Sequence, residues 1–142
     1  MPVSRIIETA EAVAAALNAG SFSRAFTATR AYLVERDLKD MTGLYVTVVP
    51  KDAEAATAGR SMIQHDIRID VGVQCKLQTA DNAEIDALMA LVREVAEHLR
   101  ATGRFAEAVW VRSENTPVYS QEHLREKRVF TSLLTVTCRA MS

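Results

Sequence analysis

The chain has 142 residues, 49% hydrophobic and 25% charged, and its 17 Lys and Arg nearly balance 18 Asp and Glu for a net charge of −1. That composition predicts one ordinary globular domain and sets aside disorder, collagen-like repeats and a disulfide-stapled mini-protein. Balanced charge also argues against a protein that wraps nucleic acid electrostatically, and no apolar run reaches the roughly eighteen residues of a membrane span. The amino-terminal stretch places Glu8 and Glu11 inside its apolar region, so it is not expected to be a secretion signal.

Residues 4–19 predict an amphipathic helix. Ile6, Ile7, Ala10, Val13, Ala14 and Leu17 form one stripe of a 3.6-residue period, and Gly20 offers a left-handed stop. Residues 25–36 carry β-branched and aromatic side chains (Phe26, Thr27, Thr29, Tyr32, Leu33, Val34) and read as a strand. The following RDLKDMTG reads as a turn of helix ending at Gly43. Leu44–Val49 is a second short strand, halted by Pro50, and the small and charged residues 51–60 read as a mobile loop.

Residues 63–77 give the clearest pattern. Ile63, His65, Ile67, Ile69, Val71, Val73, Cys75 and Leu77 alternate with Gln64, Asp66, Arg68, Asp70, Gly72, Gln74 and Lys76. A period of two means a strand with one dry and one wet face, on which Gly72 is the least costly place for a bulge. Residues 82–102 predict a second helix, with Asp81 as N-cap, Glu84 as its capping-box partner and Gly103 as stop. Its stripe is Ile85, Leu88, Met89, Val92, Val95, Ala96 and Leu99, which leaves Leu91 outside as an exposed residue. Residues 106–112 form a strand, 113–128 a long polar connection, and 129–140 the last strand, with Phe130, Leu134, Val136 and Cys138 on one parity.

Size adds a constraint. A compact globule of this length has a diameter near 37 Å, from a radius of gyration of about 14–15 Å. Fifteen strand residues extend to roughly 50 Å. Either the sheet curls, helped by a bulge at Gly72, or a hairpin projects and a partner subunit covers it, because a long exposed apolar strip is unusual on a monomer.

Catalytic and cofactor chemistry is not signalled. Neither G-x-G-x-x-G nor G-x-x-x-x-G-K-[ST] occurs, and His65, His98 and His123 are dispersed with no C-x-x-C or H-x-x-x-H pair, so no cofactor or metal is expected. Cys75 and Cys138 lie in apolar alternation and are expected to be buried and unpaired. Asp66 and Asp70, about 13 Å apart along one strand face, exceed the spacing of paired-carboxylate hydrolases. Thirteen of the 17 basic residues are Arg, a residue favoured at protein interfaces. Connection 113–128 holds Tyr119, His123, Arg125 and Arg128, which together with Asp66 and Asp70 are the candidate interface residues.

Several segments resemble the tail-terminator (tail-completion) proteins of tailed bacteriophages and prophages. They are the R-A-Y-L of Arg30–Leu33, the D-L-K-D-M-T-G-L leading to V-T-V-V-P (Val46–Pro50), the long alternating strand, the helix over residues 83–100 and the ending Glu122–Thr137. The resemblance implies an α+β fold with helices on one face of a sheet; with the elements and strand lengths above, the expected architecture is two amphipathic helices on one face of a mainly antiparallel, curved sheet of four to five strands with a long projecting hairpin. It also implies a structural virion protein, assembled in the bacterial cytoplasm, whose homo-oligomeric and usually hexameric ring caps the tail tube and meets the head-connector proteins. No catalytic residues come with the family. Asp66, Asp70 and Gln74 on the wet face would suit a lumen through which DNA slides without sequence-specific binding. A head–tail joining protein of the neck is the nearest rival, and a small dimeric α+β module holding an apolar ligand is the rival from another class.

Overall fold

The computed structural model describes residues 4–34 and 43–142. The element order is α1 (Arg5–Ala19), β1 (Ala28–Arg30), β2 (Leu44–Thr57), β3 (Ile63–Lys76), α2 (Asn82–Thr102), β4 (Arg104–Phe105), β5 (Ala108–Asn115) and β6 (Val129–Met141). One six-stranded sheet has the order β1-β2-β3-β6-β5-β4 and curls into a half-barrel. Among the described residues, β1 runs parallel to β2 and the other pairs are antiparallel. The class is therefore the expected α+β, with one or two strands more than expected.

Register explains the core. Val48, Val71 and Leu134 lie in one row across three strands, and Ile69 and Val136 in the next. These side chains point to the face that receives α1 through Ala10, Val13, Ala14 and Leu17 and α2 through Leu88, Leu91, Val92, Val95 and Leu99. Helix α2 starts as its sequence dictates. The Asp81 carboxylate accepts the Glu84 N–H at 2.9 Å, and Gly103 closes the helix in the left-handed region at φ 74°. The Glu84 carboxylate does not return to Asp81; it accepts the N–H groups of Gln78, Thr79 and Ala80 and so ties down the approach to the helix.

Several expectations fail for physical reasons. Of the predicted strand 25–36, whose residues 35 and 36 lie outside the described residues, β1 keeps Ala28–Arg30 among residues 25–34, clamped at Ala28 by both atoms of the Asn18 amide. The predicted turn of helix before Gly43 falls in residues 35–42, outside the described residues. Pro50 does not stop β2. It sits where the outer edge of the strand has no neighbour among the described residues, the position at which a missing N–H costs least. The predicted loop 51–60 is mostly strand as far as Thr57, held by pairing with the distal half of β3 rather than by apolar anchors. Residues 113–115 continue β5 rather than opening a loop, and His123–Lys127 form one π-helical turn. Gly20 is extended at φ −86° rather than left-handed, and Leu91 is fully buried on a helix that packs against α1 as well as β5 and β6. No bulge occurs at Gly72. The irregularities are at Pro50/Asp52 in β2 and Trp110/Arg112 in β5.

Candidate assembly surface

Away from the helices, the sheet presents its second face. Near β3's carboxyl-terminal end this face is not wet. Gly72 and Gln74 are buried there, Val34 lies over Gly72, and a side chain on Gly72 would come within 2.2 Å of its Cγ1. Gln74 therefore does not join Asp66 and Asp70 on an open surface, as the alternation implied.

Further along, the same face becomes an array of paired charges. Arg68 on β3 donates two hydrogen bonds of 2.6 Å to Asp52 on β2, and Arg139 on β6 donates to Asp66 on β3 at 2.8 and 3.3 Å. Lys51 lies 3.9 Å from Asp70, and Arg112 bonds Glu114 at 3.1 Å along β5. Thr135 donates to Asp70 at 2.7 Å. The Arg139 guanidinium holds the Asp66 carboxyl below its ordinary value, against a smaller opposing push from burial. Each guanidinium here is matched by a carboxylate, and Glu54, opposite Asp66, adds a further negative charge, so the face is densely charged with no excess of positive charge.

The candidate interface residues do not form one site. Asp70 and His123 line a common hollow of about 320 Å³ together with Val34, Pro117, Thr131 and Leu133. In it, His123 Nδ1 is 2.7 Å from the Thr131 hydroxyl and its backbone N–H bonds Ser120. Asp66 lies four residues away along β3 in its pair with Arg139. Tyr119 is exposed on the segment that prolongs β5 beside β6, where Thr116 and Ser120 donate to Leu133 and Thr131 carbonyls. Arg125 is exposed in the π-helical turn, and Arg128, left-handed at φ 54°, reaches the Thr79 carbonyl at 3.4 Å. The partners Asp52, Arg68, Arg112, Glu114 and Arg139 were missing from the candidates. The alternating signs of Asp66, Arg68 and Asp70 were their visible signal, since such a row invites opposite charges on neighbouring strands.

The β2–β3 hairpin carries the second feature. Beyond Lys51–Asp52, residues 53–60 are all exposed, and Met62 and Ile63 add apolar side chains near the turn. Among the described residues no His, Cys, Asp and Glu cluster could hold a metal ion, and no helix is long and apolar enough to cross a membrane. Cys75 and Cys138 are buried free thiols, and burial pushes the Cys138 thiol up to about 12. A second, open hollow of about 520 Å³ lies between α2 and the segment after α1. Its His98 donates to the Ala16 carbonyl at 2.9 Å, serving the end of α1.

No protein-family model and no curated protein matches the sequence. The solved structures that match include two from large assemblies. A chain from the virion of a native gene transfer agent particle superposes with a TM-score of 0.53 at 13% identity, over 98% of this chain and 96% of that one. A chain from the sheath/tube terminator of an extracellular contractile injection system, in its extended state, gives 0.45 at 13% identity, over 100% of this chain and 58% of that one. The first likeness shows that nearly the whole chain has the fold of a virion-particle component.

Proposed function

We propose that this chain is a structural protein of a tailed, phage-like particle, of the tail-terminator type. Its copies close into a ring, in the family's usual form a hexamer, that caps the tail tube and joins it to the head. One observation carries the reading: end-to-end agreement of fold with a chain of a gene transfer agent virion, with little left over on either side. The sheet supports it, because a half-barrel with helices on one face and a charge-paired polar face on the other suits a ring protomer. With the helices outward, the paired charges of Asp52, Arg68, Asp66 and Arg139 would line a channel in which DNA meets no net positive field. No catalytic role is assigned. The partners are copies of the chain, the tail tube and the head connector, with Asp70 and His123 on the face and Tyr119, Arg125 and Arg128 at its rim as contact residues. The protein belongs to the virion and is assembled in the host cytoplasm.

Deleting the reading frame and imaging the particles by electron microscopy tests this. Tubes that overrun their normal length and carry no heads are the expected result; full-length, headed tails would refute it. A gold-labelled copy found on tail-less heads, rather than at tube ends, would favour the neck-joining reading.

A further inference from the structure

Two long strands of the sheet have open outer edges. On one side, β1 covers β2 only at Val46–Val48, so beyond Pro50 that edge has no partner among the described residues. On the other, β4 covers β5 only at Ala108 and Val109, which leaves Arg112–Asn115 with no outer partner among the described residues. Backbone groups alternate between the two sides of a strand. Ala58 donates to Met62 across the hairpin, so Ala53, Ala55 and Thr57 turn their N–H and C=O groups outward. Thr116 donates to Leu133 on β6, so Ser113 and Asn115 do the same on the far side. An unpaired edge is a template for another strand, and β2 and β5 run in opposite directions.

We propose that the β2 arm of one copy adds to the open edge of β5 in the next copy, as a short antiparallel strand over residues 55–57. The proposal rests on the ring reading and names the contact that would close the ring. The two edges are different surfaces, so the contact is head-to-tail and repeats around a rotation axis rather than ending in a two-fold dimer. Residues paired across the junction carry side chains on the helix side in both copies, so all helices stay on one side of the joined sheet.

The register follows from what blocks the alternatives. With Ala53 opposite Ser113, the arm runs into β4. With Ala55 opposite Ser113, Glu54, which already has Asp66 opposite it on β3, faces Glu114 on its other side, and like charges directly opposite are destabilising. With Thr57 opposite Ser113 and Ala55 opposite Asn115, Ala56 faces Glu114 and the turn of residues 58–62 stops beside β4. The structure assigns this third register.

Disulfide trapping in the full-length chain tests it. Within one copy, residues 57 and 113 lie three strand spacings apart, at least about 14 Å, beyond the roughly 7 Å a disulfide spans. Mild oxidation of the Thr57→Cys/Ser113→Cys double variant should therefore give a ladder of linked chains on a non-reducing gel. The single variants and the native chain, with its buried thiols, should give no ladder. Ala55→Pro, which removes an outward N–H and no internal bond, should abolish the ring seen by native mass spectrometry with the circular dichroism spectrum unchanged. A native ring that neither cross-links in the double variant nor dissociates with Ala55→Pro overturns the edge contact and leaves the ring reading intact. A native chain that stays monomeric at every concentration and in the presence of tail tubes overturns both.

Discussion

Gly72 and Val34 share one volume. Any Cβ at position 72 would meet the Val34 side chain, a β-branched group with few rotamers to yield with. Gly72→Ala is expected to cost about 1–3 kcal/mol in urea unfolding, as overpacking does. Val34→Ala should recover most of it, so that the double variant loses clearly less than the sum of the two; additive losses would show that the residues do not compete for space. The sequence marks Gly72 as special but suggests the wrong reason, because alternation reports strand parity and not what later crosses the strand. Leu91 misleads in the same way, since a helix stripe drawn for one packing partner omits residues buried by a second. Glu84 shows a subtler gap. Its spacing from Asp81 predicts a cap, and the N-cap bond exists, but the carboxylate serves three earlier N–H groups. Burial pushes this carboxyl up, while the bonds from Gln78, Ala80 and Thr79 outweigh that and hold it below its ordinary 4.5. A lowered folded value means the contribution is complete above 4.5 and is lost as pH falls through the lower value. Glu84→Gln should thus lower the melting temperature at pH 7, with the deficit shrinking below about pH 4. A deficit equal at all pH values would refute this.

At the scale of elements, the two helices and β3 were legible because each buries one regular face, and periodicity is the trace of one-sided burial. The β2 arm was not, since Lys51–Thr57 buries almost nothing and is strand only because its backbone pairs with β3. Hydrogen bonding of that kind leaves no mark on composition. It does leave one on exchange rates. In the isolated chain, amide hydrogens of Glu54 and Ala56, which face β3, should exchange more slowly than those of Ala53, Ala55 and Thr57, which face outward. NMR-detected exchange reads this directly, and uniform protection along the arm would mean the outer edge is already covered. The charged pairs of the polar face were half legible: Asp66, Arg68 and Asp70 are visible in order, but Asp52 and Arg139 join them only through a register the sequence does not specify.

The whole molecule is ordinary in composition and open in outline. Strand length set against the size of the globule predicts that the sheet either curls or projects; it curls into a half-barrel, and residues 53–60 of the β2–β3 hairpin are exposed. The polar face carries no surplus of positive charge, because its cations sit beside carboxylates. The chain should therefore leave double-stranded DNA unshifted in an electrophoretic assay at physiological salt. Arg68 and Arg139 become available once their partners are neutralised, so Asp52→Asn/Asp66→Asn should introduce weak binding that fades as salt rises. Tight binding by the native protein would contradict the channel assigned to this face.

The two thiols reach beyond packing. Register sets Cys75 opposite Phe130 and Cys138 opposite Ile67, eight residues along β3, or about 26 Å. Both are sealed from solvent, and they are too far apart to join. The folded chain accordingly has one covalent form. A change from reducing to oxidising surroundings would therefore neither staple nor unstaple it.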